Sequence, residues 1–149
     1  MTEEEATSVV GSLARLEADA ARACAQLLDT VDKPDAWLRL KHFHDQLART
    51  ARVLEETTLA RGAEPPTWDL RGALLVVGAS LWGSAGTRAS LAAMRFVAEV
   101  ALNRAEAALA DPGLPQDVRA PLLELRDAHR RQIRYLGRVL AIRHRRAYS

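Results

Sequence analysis

Two histidines and one glutamate lie at positions where the sequence predicts the inner faces of helices. His44 and His129 each fall on an apolar stripe that recurs at three- and four-residue steps, and Glu17 follows Leu16 of the first helix's stripe. Carboxylate and imidazole groups bind zinc and iron, so one hypothesis is a metal site that uses all three residues. The alternative is that Glu17 pairs with His129 inside the core, because a buried carboxylate needs a partner. We interpret each histidine as an ordinary core residue that donates one hydrogen bond, which is common inside helical bundles, and the pairing with Glu17 stays open.

A single cysteine restricts the chemistry further. Cys24 has no second thiol with which to form an internal disulfide or a zinc site of several thiolates. A redox-sensing role would require an exposed thiol with a lowered pKa, and the sequence carries no signal for either. We therefore interpret Cys24 as a small apolar residue of the core.

Arginines are concentrated near the C-terminal end of the sequence. Residues 126–149 contain eight arginines and one acidic residue, whereas residues 1–125 contain 13 basic and 18 acidic side chains. A basic tip at Arg143, Arg145 and Arg146 could bind nucleic-acid phosphates, anionic lipid or an acidic partner. The alternative is a solvated helix end whose cations complement the helix dipole.

An apolar segment with several glycines separates the two halves of the chain. Residues 63–87 predict a short apolar helix rather than a strand, since no other segment resembles a partner strand. Two interpretations stay open: this segment closes the core of the helices beneath it, or it forms the interface of a symmetric homodimer. The residues expected at such an interface are Trp68, Leu74, Val77, Leu81 and Trp82.

Composition describes a globular chain of one domain, residues 1–149. Hydrophobic residues make up 48% of it, charged residues 27% and aromatic residues 5%. The acidic start, Met1-Thr2-Glu3-Glu4-Glu5, is unlike a secretory signal. The longest apolar stretch, residues 73–82, is too short for the ~20 residues of a membrane-spanning helix. We therefore expect a cytoplasmic protein without a transmembrane segment.

Capping residues, prolines and glycines predict four long helices around this segment. Thr2 with Glu5 is a capping box, Gly62 is a left-handed helix stop, and Thr87 or Ser90 is the expected N-cap of the third long helix. A connection as long as residues 63–87 can return along the other helices, so we predict an all-α four-helix bundle with a long central crossover. The predicted helices span residues 3–31, 34–61, 88–110 and 116–146, and the predicted inner stripe of the second runs through Trp37, Leu40, His44, Leu47, Ala51 and Leu54.

Four short motifs carry a resemblance to a known family. Leu13-Ala14-Arg15-Leu16-Glu17 is similar to the first-helix stretch of the ferritin-like superfamily that carries a metal-binding glutamate. Residues 61–66 resemble the close of that family's second helix, and residues 114–119 and 133–136 resemble two segments of its fourth helix. The likeness is greatest to small bacterial members of unknown function. It implies two helical hairpins joined by a long crossover, the order predicted above.

The resemblance also implies where a di-iron site would lie, and most of its ligands are missing. Such a site takes a glutamate from each of two helices and a Glu-x-x-His pair from each of the other two. Glu17 matches the first-helix ligand, whereas Cys24 stands where a tyrosine is usual. The remaining positions fall on Leu47 and Thr50, on Ala98 with Glu99 beside it, and on His129 and Gln132. Ferroxidase or oxygenase activity is therefore not expected, nor is a metal cofactor.

These observations predict a non-enzymatic helical module, without catalytic residues or cofactors, that acts in structure or protein interaction. We expect a homodimer, and an unidentified protein partner is also compatible with the sequence. Two alternatives stay open. One is a zinc- or iron-binding bundle that uses Glu17, His44 and His129; the other is an anion- or nucleic-acid-binding module that uses the C-terminal arginines.

Overall fold

The computed structural model describes the backbone of residues 1–148 and the side chains of residues 1–142. This part of the chain contains no strand, which confirms the prediction of an all-α fold. No helix within it is both long and apolar enough to cross a lipid bilayer. It forms five α-helices and a 3₁₀ turn at Gly83–Ala85; the helices are α1 (Glu3–Leu28), α2 (Pro34–Ala60), α3 (Leu70–Trp82), α4 (Thr87–Leu109) and α5 (Gln116–Tyr148).

Local capping chemistry sets several of these helix ends. The Thr2 amide donates to the Glu5 carboxylate at 2.9 Å and the Glu5 amide donates to the Thr2 hydroxyl at 3.1 Å, which confirms the capping box. Gly62 has a φ of 79°, the left-handed conformation expected after α2. Asp69 is a cap that the sequence analysis missed: its carboxylate accepts a 2.9 Å hydrogen bond from the Gly72 amide at the start of α3.

The expected N-cap of α4 is wrong. Gly86, with a φ of 102°, precedes the helix, and among the described residues no side chain caps it. Ser90 is buried instead, with its hydroxyl bonded to that of Thr30, and the Thr87 hydroxyl donates to the Thr30 carbonyl at 3.2 Å. Both side chains join the start of α4 to the end of α1, a long-range contact that a local capping pattern does not encode.

Each of the four long helices packs against two others. The α1 helix contacts α2 and α4, and the α5 helix contacts the same two. The short α3 helix lies on α1 and α4 and buries Gly72, Leu75 and Ala79 against them. The segment between α2 and α4 therefore covers one side of the long helices and leaves its opposite face outside.

Buried apolar side chains form two clusters along the long helices. The larger includes Leu27, Leu40, Met94 and Leu136, and the smaller includes Leu13, Leu54, Leu122 and Leu125. Between members of the two clusters, α1, α2 and α5 contribute buried polar side chains instead. We call these four residues the polar layer: Glu17, Thr50, His129 and Gln132.

Candidate functional site

The polar layer is centred on a hydrogen-bonding contact between α1 and α5. His129 Nε2 lies 3.1 Å from both Oε1 and Oε2 of Glu17, and both side chains are 0% exposed. A carboxylate accepts hydrogen bonds and does not donate them, so the imidazole N–H is the donor. Glu17 and His129 therefore pair across the core, which is the alternative that the sequence left open.

Two further polar atoms of the layer have no protein partner among the described residues. They are Nδ1 of His129 and Oε1 of Gln132, which lies one helical turn further along α5. Unsatisfied buried polar atoms of this kind are uncommon and are costly in free energy. The layer therefore contains buried polar atoms that the Glu17–His129 contact does not satisfy.

Cys24 lies beside this layer as a protonated thiol. Its side chain is buried, and burial raises the pKa of the thiol from 9.0 to about 12, with the nearby Glu17 carboxylate acting in the same direction and a hydrogen bond with Gln132 opposing it. A thiol in this state is not a nucleophile at neutral pH. Cys24 is a core residue, as the sequence suggested.

The positions that the ferritin-like resemblance assigns to metal ligands all lie inside the protein. Leu47, Thr50 and Ala98 are buried, as are Glu17, His129 and Gln132. Glu99 does not replace Ala98: its carboxylate is turned outward and accepts from Arg95 at 3.1 Å. Of the six buried positions only Glu17 carries a carboxylate, so these residues do not fit a di-iron centre, which needs bridging carboxylates.

His44 does not join Glu17 and His129, and its placement on the core stripe is wrong. Its side chain is half-buried, and Nδ1 lies 3.0 Å from the carboxylate of Asp45. Hydrogen bonds from Lys41 and His44 hold the pKa of Asp45 below its ordinary value. Across the described residues no group of three or more His, Cys, Asp or Glu side chains is arranged to hold a metal ion. The proposed set of three ligands is therefore not assembled.

The error at His44 reflects the rotation of α2. Phe43 is buried where His44 was expected, and Trp37 is exposed while Ala36 is buried. Adjacent residues on a helix point in directions about 100° apart. A modest rotation of the helix about its axis therefore buries one residue of an adjacent pair and exposes the other. Both stripes share Leu40 and Leu47, which is why periodicity alone did not separate them.

The residues expected at an interface are at the surface. Along α3, Leu70, Leu74, Val77 and Leu81 are between 57% and 69% exposed, and we call these four residues the α3 outer face. Trp68, Trp82 and, on α4, Phe96 are exposed as well. Phe96 was not predicted, because its neighbours on α4 are small and its pattern resembles that of an ordinary helix.

A cavity of about 300 Å³ extends from this surface between α3 and α4. Leu74, Trp82 and Phe96 form its rim, and Leu27 and Leu75 lie at its base. The lining is almost entirely apolar. The cavity therefore extends the apolar surface of the α3 outer face toward the core.

The C-terminal arginines divide into two groups. Arg143, Arg145 and Arg146 lie outside the residues whose side chains are described. Arg131, Arg134 and Arg138 line a groove between α5 and α2, while Arg130 turns the other way and pairs with Glu106 of α4 at 3.0 Å. These four described arginines therefore lie on two different faces of α5, one next to α2 and the other next to α4.

The closest packing of α3 on α1 involves a residue pair that the sequence analysis missed. Asp19 is buried and accepts a 2.6 Å hydrogen bond from Arg15, and its carboxylate lies where a side chain at position 72 would project. Only the glycine at that position admits this approach. The signal available in the sequence was Gly72 itself, near the start of an apolar helix.

The buried Glu17–His129 pair can orient and stabilise, but it is closed to solvent and lacks an adjacent activated nucleophile among the described residues. Several cavities are open to solvent, and two of them have a distinctive lining: the apolar cavity beside α3 and the arginine groove between α2 and α5. Comparisons with protein-family models, with curated proteins and with solved structures found no match to this chain.

Proposed function

We propose that this chain is a non-enzymatic, ferritin-like four-helix bundle that self-associates through the α3 outer face. The observation that carries the proposal is the spacing and exposure of Leu70, Leu74, Val77 and Leu81. Steps of four, three and four residues place all four side chains on one stripe of the helix, as in the seam of a coiled coil. The opposite stripe of the same helix is already buried on α1 and α4.

A second copy of this chain is the occupant that suits the stripe. Two such helices packed antiparallel around a twofold axis place the two ends of one stripe against the opposite ends of the other. Arg71 is the single charged residue of α3, so two outer faces can meet without burying a row of charges.

The amount of apolar surface also suits a dimer. Together with Trp68, Trp82 and Phe96, the α3 outer face exposes area on the order of 800 Å², which is what one partner contributes to a standard interface. Monomeric proteins seldom expose a continuous apolar patch larger than ~600 Å². Aromatic residues at the edge of the patch are typical of the side chains that dominate binding energy in interfaces.

Support for the ferritin-like arrangement comes from packing and from burial. The contacts α1–α2 and α4–α5 correspond to two hairpins, and α1–α4 and α2–α5 are the contacts that would close a bundle. All six positions assigned to ligands by the resemblance are buried, although five of them carry no carboxylate. A bundle that keeps the positions of a metal centre but not its ligands is best suited to a structural role.

Light scattering on a size-exclusion column tests the self-association. The unmodified chain is expected to elute at twice the mass of one chain, and Leu74→Glu is expected to elute as a monomer. Leu38→Glu is the matched control, since Leu38 is 63% exposed and Leu74 is 61% exposed. It should leave the dimer intact. A monomer at high concentration, or equal dissociation by both variants, would contradict the proposal.

Metal analysis tests the metal-binding alternative separately. Protein purified without chelator and without a nickel column is expected to contain metal at a stoichiometry near zero. One or two metal ions per chain, lost on replacing Glu17, would instead support the metal-binding alternative.

A further inference from the structure

The groove between α2 and α5 has positive charge on both walls. Its volume is about 820 Å³. Its lining includes one acidic residue, Asp35, near the start of α2. We call this cavity the α2–α5 groove. Five basic residues line it: Arg39 and His42 from α2, and Arg131, Arg134 and Arg138 from α5.

Among the described residues, none of these arginines forms a direct ion pair, and Asp35 is the one carboxylate that lines the groove with them. The ion pairs found among the described residues use Arg15, Arg22, Arg61, Arg95, Arg126 and Arg130, and none includes the four arginines of the groove. Like charges gathered on one surface repel one another and oppose the compact state. A multiply charged anion in the groove would remove that repulsion.

One wall of the groove is already oriented. The Arg39 guanidinium lies 4.7 Å from the centre of the Tyr135 ring, a cation–π contact that links α2 to α5. Phe43, which also lines the groove, packs against the same ring, with centroids 6.2 Å apart. Part of the entropy that Arg39 would lose on binding a ligand is therefore lost before the ligand arrives.

The spacing of the basic residues suits several phosphate groups rather than one. Arg131, Arg134 and Arg138 follow one face of α5 over about 10 Å, and Arg39 and His42 are one turn apart on the facing helix. A guanidinium can form two parallel hydrogen bonds with a phosphate, which makes arginine the usual residue for phosphate recognition. A single phosphate can reach only part of such a row.

We infer that the α2–α5 groove binds a small soluble anion with two or more phosphate groups. Single-stranded nucleic acid is less well suited, because the ring of Phe43 is buried and one face of Tyr135 is covered by Arg39, so His42 is the one exposed aromatic ring among the residues that line the groove. The site is separate from the α3 outer face, so its test does not depend on self-association.

Calorimetric titration of the full chain with inorganic tripolyphosphate at low salt tests this inference. Saturable binding is expected, with Arg134→Gln and Arg39→Gln each weakening it about tenfold or more. Arg130→Gln is the matched control: it removes the same charge from the same stretch of α5 but on the face that pairs with Glu106, and it should change binding less than about twofold. The two groove variants lie on different helices. If one of them fails to fold, the other still tests whether the groove binds tripolyphosphate.

Several results would overturn the inference. These are no saturable binding at low salt, an equal loss of binding in Arg130→Gln and Arg134→Gln, or orthophosphate binding as tightly as tripolyphosphate. Tighter binding of a single-stranded oligonucleotide or of anionic vesicles, with the same dependence on Arg39 and Arg134, would assign the groove to a different class of ligand. Binding of a nucleoside triphosphate as tight as that of tripolyphosphate, or tighter, also supports the inference, since both ligands present the same phosphate chain.

Discussion

His129 Nε2 lies 3.1 Å from both carboxylate oxygens of Glu17, although the two residues are 112 positions apart in the chain. Both side chains are fully buried, and they lie between the two apolar clusters of the core. The contact joins α1 to α5, helices at opposite ends of the sequence. It therefore forms only when the first and last helices of the chain come together.

Removing one member of this pair should destabilise the protein strongly. Glu17→Leu leaves the His129 ring buried without its carboxylate partner, and we expect the free energy of unfolding to fall by about 3 kcal/mol. Urea unfolding monitored by circular dichroism measures the change. Adding His129→Leu should restore part of the loss, because the double variant no longer buries a His129 ring that lacks its carboxylate partner. Strictly additive effects would show that the two residues do not interact energetically.

Two glycines of α3 should respond to alanine in opposite directions. A Cβ at position 72 would collide with the Asp19 carboxylate, so Gly72→Ala should lower the free energy of unfolding by about 1–3 kcal/mol. A Cβ at position 78 has nothing within 4 Å, so Gly78→Ala should raise it by up to about 1 kcal/mol through helix propensity. The midpoints of urea unfolding of the two variants measure this difference. Destabilisation of equal size in both variants would show that α3 does not pack on Asp19 as described.

Cys24 should be unreactive in the native protein. Burial raises the pKa of its thiol from 9.0 to about 12, so the reactive thiolate is scarce at pH 8. We expect Ellman's reagent to label Cys24 only after urea unfolds the chain. Rapid labelling of the folded protein would contradict the described burial.

The same thiol makes stability depend on alkaline pH. Above pH 9 the unfolded chain loses the Cys24 proton while the folded chain keeps it, so the free energy of unfolding falls as the pH rises from 9 to about 12. Cys24→Ala should lose less stability over this interval than the unmodified chain does. Identical pH dependence in the two proteins would contradict the raised pKa.

Arg61 should stabilise the ends of three helices. Its guanidinium donates to Glu3 of α1 at 2.9 Å and to Asp117 of α5 at 2.7 Å. Arg61→Gln should lower the free energy of unfolding by about 1 kcal/mol at pH 7, a modest value because both carboxylates are largely exposed.

Acidification provides the control for Arg61. The guanidinium holds the pKa of Asp117 below its ordinary value of 3.8, so this stabilisation is present above that pH and is lost as the pH falls through the lower, folded-state value. The difference between Arg61→Gln and the unmodified chain should therefore shrink in acid. A difference that stays constant down to pH 2 would show that the ion pair with Asp117 is not its source.

Sequence reasoning predicted helix ends correctly where the signal was local, and it predicted buried positions correctly where a helix had one clear apolar stripe. The capping box at Thr2 and Glu5 and the stop at Gly62 involve residues that are neighbours in the chain. The contact between Glu17 and His129 was one of the open alternatives, because a buried carboxylate needs a partner and His129 lies on an inner stripe. The same reasoning failed at His44, since two alternative stripes of α2 share most of their leucines.

The amino-acid sequence alone determined that this chain is helical and where several helices begin and end, because capping and backbone conformation depend on residues a few positions apart. Tertiary structure decided which side chains are covered. It placed Phe43 rather than His44 inside, set Gly72 against Asp19, left the α3 outer face uncovered and brought Arg39 beside Arg134 and its neighbours in the α2–α5 groove. These outcomes depend on how one helix is rotated and seated on another, and that is fixed by packing between residues far apart in the chain.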